Sequence, residues 1–408
     1  MVLFIGLVFP ESTSTAAGSR MLQLLHFFLA ENYKITFASA AQQTEYIDDL
    51  ESLGVKKVTI KLNDSSFDEF IKVLQPEIVV FDRFITEEQF GWRVAENCPN
   101  AIRILDTEDL HCLRQARFEA FKKDETFELK QLNKLDITKR EIASIYRCDL
   151  SLIISPYEYQ LLINHFKIPK EILVELPFML DGISQEDIFK KSFFEKRQDF
   201  ISIGNFKHEP NWQSVLYLKK TIWPLIRKQI PNAKLLIYGS YPSQKVTDLH
   251  NENEGFMVMG RAEDAHKVIS KAKVLLAPLQ FGAGLKGKFI DAMLNGTPSV
   301  TTSFGAEGMH GDLPWNGFIT DNPKAFADKA VELYSNKEIW LTSQQNGIGI
   351  INNIYLKEQL SEKLNNQIRK IQDDINLHRN NNFVGVLLQH HSFQSTKYLS
   401  RWIEAKNS

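Results

Sequence analysis

The sequence predicts an α/β protein of two doubly wound parallel-sheet domains facing a central cleft. Three observations predict it. Short apolar runs alternate with helix-patterned stretches from residue 2 to residue 176; the alternation breaks over 177–197; and it restarts at Phe200. Strands that alternate with helices are joined by crossovers, and crossovers make the sheet parallel. The length, 408 residues, suits two domains at about 100–200 residues each.

The elements follow in order. Residues 2–8 form an apolar run that reads as a buried strand. Residues 18–31 read as an amphipathic helix, with Met21, Leu24, Leu25 and Phe28 at helical spacing. Strands are expected at 34–38, 55–60, 77–81, 101–105, 150–154 and 172–176, with helices at 67–74 and 87–97 and a long charged helical region over 110–147. Asp181-Gly182 and the run Lys190, Lys191, Glu195, Lys196, Arg197 mark a connection. Beyond it, strands are expected at 200–203, 233–238, 256–259, 274–277 and 299–302. Helices are expected at 211–227, 262–272, 288–294, 323–335 and 337–370, with Asn295-Gly296 as one stop signal. The domains expected are therefore 1–180 and 198–370, joined by a linker over 181–197. In the tail, 371–408, residues 379–382 read as a loop and 397–406 as a short helix. Its apolar and aromatic residues, Phe383 to Trp402, need a surface to bury against. The tail is expected to pack back on the first domain.

Composition excludes several classes. Basic and acidic side chains nearly balance, 48 against 50, so nothing favours nucleic-acid binding through bulk charge. Cys98, Cys112 and Cys148 are scattered and odd in number, which argues against a disulfide framework or a cysteine metal site and for a reducing, cytoplasmic setting. The apolar start lacks a basic flank and meets Pro10 at once, unlike a signal peptide. No run approaches the roughly 20 apolar residues of a membrane span. Peripheral contact with the inner face of a membrane stays open. His390-His391 has no third ligand nearby, so no metal site is expected.

Chemistry concentrates in residues 277–288, which join a buried strand to a helix. Gly282, Gly284 and Gly287 let the backbone approach an anion, the helix start offers free N–H groups, and Lys286 and Lys288 add two cations. Asp291 follows in the first helical turn, placed to accept from a ribose. Together they read as a diphosphate-and-ribose cradle. A plain strand–loop–helix turn with two solvated lysines is the alternative.

These residues carry a resemblance. Gly282-Ala283-Gly284-Leu285-Lys286-Gly287-Lys288 through Asp291-Ala292-Met293, followed by Gly296-Thr297-Pro298 and Gly305-Ala306-Glu307-Gly308, resembles the donor-site signature of family 4 glycosyltransferases, the glycosyl transferases group 1. The likeness is to the branch with a Gly-Ala-Gly-x-Lys-Gly-Lys loop; residues 204–211 and Gly260-Arg261-Ala262-Glu263-Asp264 fit the same half. The resemblance implies a GT-B fold of two Rossmann-like domains, a nucleoside-diphosphate sugar as co-substrate rather than a cofactor, and retention of configuration. It implies donor contacts from Arg261, Gly282, Gly284, Lys286, Lys288, Asp291 and Glu307. The family's paired glutamates, eight apart, fall on Ala283 and Asp291; the first is lost.

In the first half, Asp109 and His111 follow a strand end, where doubly wound folds place ligands. His111, Arg114 and Arg117 are three apart and share a helical face. The family often carries a histidine near this point. His111, Asp109 and Lys288 are the expected catalytic residues. A capping Asp109 on a solvated basic face is the structural alternative. Gly18 and Arg20 open the first helix after the loop 13–17, and Lys207 follows the first strand of the second domain as a further candidate cation. The function expected is glycosyl transfer from a nucleotide sugar to an unidentified acceptor, without a divalent metal, since no Asp-x-Asp occurs. The alternatives are a non-catalytic nucleotide-sugar-binding subunit, motivated by Ala283, and a nucleotide-sugar epimerase of the same fold.

Overall fold

The computed structural model describes residues 1–184, 186–187 and 193–407; Lys190 and Lys191 of the expected linker run lie outside them. The first domain holds seven strands: β1 (Val2–Gly6), β2 (Ile35–Ser39), β3 (Lys56–Thr59), β4 (Ile78–Asp82), β5 (Ile102–Asp106), β6 (Leu150–Ile153) and β7 (Leu173–Glu175). Their order is β3-β2-β1-β4-β5-β6-β7 and all pairs are parallel. The inner strands are apolar on both faces because helices cover both. Leu3, Ile5, Val79 and Phe81 face helices Ser66–Leu74 and Arg83–Asn97 through Ile71, Phe90 and Val94. Val2, Phe4, Ile78 and Val80 face helix Ala16–Ala30 through Leu24 and Phe28. The edge strand β3 is the exception, half exposed and carrying Lys56 and Lys57, as suits an edge that must not recruit another chain.

The second domain holds β8 (Gln198–Ile203), β9 (Leu235–Tyr238), β10 (Phe256–Gly260), β11 (Ala272–Ala277), β12 (Ser299–Thr301) and β13 (Gly317–Ile319), ordered β10-β9-β8-β11-β12-β13 and again parallel. The sequence reading misses β13, which is three residues long and begins with glycine. Gly317 is needed there: a Cβ would lie 2.0 Å from the Ser299 carbonyl oxygen, at φ +142°. The expected helix over 110–147 is in fact two, His111–Lys122 and Asp136–Arg147, separated by a 3₁₀ turn at Leu129–Lys134. Helix Pro156–Asn164, between β6 and β7, was not anticipated.

The single helix expected over 337–370 breaks at Tyr355 into Lys337–Ile354 and Lys357–Asp373. Tyr355 is fully buried and donates its hydroxyl to the Met309 carbonyl at 2.7 Å. The chain leaves the second domain here rather than at 370. Leu360, Leu364, Ile368 and Ile371 of the second helix pack into the core beneath β1 and β4. Leu180 pairs with Leu356, so the two crossings run side by side. The tail folds as Ile375–Asn381 and Phe383–Asn407, so residues 379–381 are helical rather than a loop, and only Asn382 interrupts. Arg379 bonds Asp149 at 2.7 Å, and Asn382 donates to the Tyr146 carbonyl at 2.7 Å. Both ties fasten the tail to the first domain.

Candidate active site

The C-terminal ends of the two sheets face each other across a cavity of about 790 Å³. That volume is of the size that holds a small-molecule ligand. From the first domain it is lined by the loop after β1 and by Asp82, Arg83, Glu108, Asp109 and His111; from the second, by Gly204, Lys207, His208 and Asn211, by Gly239 to Tyr241, and by Phe281 to Ala283, Leu285 to Lys288 and Asp291.

Two helix starts meet here. Thr15 caps helix Ala16–Ala30 by accepting from Gly18 N at 2.9 Å. Helix Gly287–Leu294 opens opposite, so close that a Cβ on Gly287 would lie 2.6 Å from that of Ala16. Free N–H groups and the positive dipole ends of both helices therefore share one end of the cavity, which favours an anion. The lysines add to it. Lys286 Nζ donates to the Gly284 carbonyl and Lys288 Nζ to Asn211 Oδ1, each at 2.8 Å. Burial pushes both ammonium groups down to about 8, because a desolvated cation is costly. Both remain mostly protonated at pH 7, with few partners to satisfy them. Asp291 also lines the cavity, its carboxyl raised by burial to about 6.

The first-domain side carries both signs, with Asp82, Glu108 and Asp109 beside Arg83 and Arg114. Asp109 lies 3.5 Å from His111 Nε2 and 3.4 Å from Arg114. Burial alone would raise its carboxyl, but Arg114 and His111 hold it below the usual value. His111 stacks edge-on against Phe84 and is pushed by burial down to about 4. It is a neutral imidazole at pH 7, able to hydrogen-bond but carrying no charge. Asp109 does not cap the helix. Leu110 is the capping position, and the helix N–H groups are taken by distant carboxylates: Glu158 accepts from Leu110 N at 3.1 Å, and Glu141 from His111 N and Cys112 N at 2.9 Å each.

The structure brings Gly18, Asp109, His111, Lys207, Gly282, Lys286, Lys288 and Asp291 to the cavity wall. Gly284 sits behind it, at φ +63°, where a Cβ would meet that of Asp109 at 2.8 Å. Lys207 lies over the Tyr241 ring at 3.5 Å. Three candidates are placed otherwise. Arg20 is 1% exposed and spent within the first domain: it pairs with Asp106 and donates to the Leu176 carbonyl at 2.7 Å. Arg261 bonds Thr13 Oγ1 at 2.8 Å and covers the Tyr46 ring, tying the domains together at the rim. Glu307 gives both carboxylate oxygens to Arg117, at 2.7 and 2.8 Å. Arg20 and Glu307 have their charged groups paired, while Arg261, bonded to the neutral Thr13, does not line the cavity.

Sequence reasoning missed two cross-cleft ties. Arg117 also donates to the Gly282 carbonyl at 2.7 Å, and Glu158 accepts from Gly284 N at 2.8 Å. Burial and the nearby Asp109 raise the Glu158 carboxyl to about 8. The glycine loop is thus held from both ends by the first domain. Arg83, which follows β4, and Glu108, which immediately precedes Asp109, take left-handed φ angles of 69° and 61°, and such strain concentrates at functional sites.

Two parallel-sheet domains closed on a shared cleft in this way make the GT-B fold. Residues 197–336 match the family described as glycosyl transferases group 1. Among solved structures the chain is similar to sucrose-phosphate synthase from Thermosynechococcus elongatus, at 13% identity over 91% of this chain and 99% of that one, TM-score 0.65. It is similar to Alr3699/HepE from Anabaena in complex with UDP and glucose, at 11% identity over 90% and 99%, TM-score 0.63. It is also similar to S. aureus TarM with UDP bound, at 17% identity over 74% and 57%, TM-score 0.57. A curated relative, an uncharacterized 44.6 kDa protein in the cps region of Klebsiella pneumoniae, is 25% identical over 177 residues. The match spans 42% of that relative's length. Among the described residues no helix is long and apolar enough to cross a membrane.

Proposed function

We propose that this chain is a retaining glycosyltransferase that moves a hexosyl group from a nucleoside-diphosphate sugar, with uridine diphosphate as the leaving group, to a hydroxyl acceptor. The observation that carries the proposal is the meeting of two helix starts with Lys286 and Lys288 at one end of the cavity. As the anomeric C–O bond breaks, its electron pair passes to the diphosphate, and those groups stabilise the added charge. The acceptor hydroxyl oxygen forms the new bond to the anomeric carbon, and its proton passes to the departing diphosphate. Asp291 is suited to the ribose, while His111 and Asp109 face the transferred sugar. The protein supplies these cations itself, so no divalent metal is required. The closed cleft excludes water that would hydrolyse the donor. UDP complexes of TarM and HepE support the choice of base.

A screen of nucleoside diphosphates and their sugars by thermal shift tests donor binding. A ligand at a hundred times its Kd stabilises by about 2.7 kcal/mol, and at about 2–4 °C per kcal/mol for a domain of this size that is a rise of about 5–11 °C. No rise with any uridine diphosphate ligand would sink the proposal. Ala283 lines the cavity where the family places a glutamate, so a binding-only subunit is the second reading. It predicts the same thermal shift with no turnover in any acceptor panel.

For His111→Ala, turnover is expected to fall about 10²-fold, with donor Kd changed less than about threefold, since a hydrogen bond to the reacting sugar counts mainly in the transition state. Parallel losses of turnover and melting temperature would mark His111 as structural.

A further inference from the structure

The last helix, Phe383–Asn407, is amphipathic the wrong way round for a surface helix. Such a helix normally turns its apolar stripe to the core. Here the docked side is mostly polar. Gln389 donates to the Arg147 carbonyl at 3.0 Å, Ser392 and Ser400 accept from Arg147 and Arg93, and Glu404 accepts from Ser65 N at 2.7 Å. Its buried residues are Gly385, Phe393 and Ser400. The outward side is aromatic and aliphatic: Phe383 is 71% exposed, Leu387 46%, Tyr398 65% and Trp402 60%. These four fall on one stripe, because 383, 387, 398 and 402 are separated by 4, 11 and 4 residues, close to whole helical turns. At 1.5 Å per residue the stripe is about 29 Å long.

We propose that this stripe is a docking face for an anionic lipid surface, on which the helix lies in the plane of the headgroups. Trp402 and Tyr398 combine an apolar ring with a polar edge, which suits the boundary between headgroup and acyl chain. The charges agree with that surface. Glu404, the one acid of the helix, turns inward to Ser65, while Arg401 and Lys406 flank Trp402 on the exposed side, Lys406 standing 5.2 Å over its ring. Arg401 and Lys397 share one partner, Glu96 of the underlying helix, which leaves excess positive charge there. An apolar face with basic flanks binds anionic membranes through both terms. A second copy docked in parallel on the same stripe would set Arg401 and Lys406 against themselves.

The test is flotation of the full chain with two kinds of vesicle, phosphatidylcholine alone and phosphatidylcholine mixed with phosphatidylglycerol. Binding to the mixed vesicles is expected. The double variant Tyr398→Ser/Trp402→Ser should lower the bound fraction about tenfold or more, since interfacial binding scales with buried apolar area. Both side chains are exposed, so its melting temperature should stay that of the parent. Arg401→Glu/Lys406→Glu should lower binding to the mixed vesicles only. Absence of flotation with either vesicle overturns the proposal, and so does flotation that the aromatic substitutions leave unchanged. Equal flotation on both vesicles overturns its anionic part. A concentration-dependent dimer without flotation, dissolved by the aromatic substitutions, would assign the stripe to a second copy instead.

Discussion

Lys288→Ala is expected to lower kcat/KM by about 10²–10³-fold, the cost of losing one group that stabilises developing negative charge. Donor Kd should rise about tenfold or more, because a charge-assisted hydrogen bond to a poorly solvated phosphate is worth about 1.5–3 kcal/mol. Folding should not suffer. In the free protein the Lys288 ammonium is depressed to about 8 by burial, so the folded state holds its proton less tightly than the unfolded chain. The charged form therefore opposes folding at neutral pH, and its removal should leave the melting temperature equal or higher. The same depression sets a pH dependence. Donor binding needs protonated Lys286 and Lys288, so affinity should be flat below about pH 8 and fall above it. Binding at pH 8 should take up protons, read by calorimetry in buffers of different ionisation enthalpy. Turnover should survive excess chelator. Loss of turnover in chelator, restored by magnesium or manganese, would show that a metal does this work. A Lys288→Ala protein with unchanged donor affinity would reduce the loop to a turn.

What the sequence disclosed about this site divides along a physical line. The glycine loop was legible because its parts are local: three glycines, two lysines and a carboxylate fall within ten residues, between a buried strand and a helix. Both sheets were legible for the same reason, since most inner strands are short, mainly apolar runs buried on both faces, with Arg103 and Ser151 among the few polar interruptions. Arg20 was misread because the partner that buries it, Asp106, lies 86 residues away. Arg261 and Glu307 sit inside family-like motifs, yet Arg261 is drawn to the rim by a bond to Thr13 and Glu307 is paired with Arg117, both of the other domain. No spacing within one domain encodes a contact that depends on how two domains close. The same holds for Glu158, whose place in helix Pro156–Asn164 gives no hint of its bond to Gly284. The tail helix was read as short because polar residues break its apolar pattern, and those residues are the ones that dock.

Arg117→Ala should have the second large effect, and it should act through domain closure. Arg117 is 4% exposed and belongs to the first domain, but three of its hydrogen bonds reach the second: two to Glu307 and one to the Gly282 carbonyl. Its guanidinium also lies 4.9 Å over the Tyr157 ring and 5.2 Å over that of Phe304. Removing one partner of a buried ion pair costs about 3–5 kcal/mol, mostly through the charge left behind. Here the abandoned Glu307 can recover solvation if the cleft opens. The cost therefore falls on the closed state rather than on the folding of either domain. A tenfold loss follows from each 1.36 kcal/mol, so kcat/KM should drop about 10²–10³-fold, and small-angle scattering with saturating donor should show a more open particle. Arg117→Lys keeps the charge but loses the two-pronged fork, and should fall between. Adding Glu307→Ala to Arg117→Ala should restore part of the loss, because it removes the stranded carboxylate; a double-mutant cycle measures that coupling. Arg117 is thus a positioning residue, and unchanged scattering with a lowered melting temperature would show instead that it supports only the local fold.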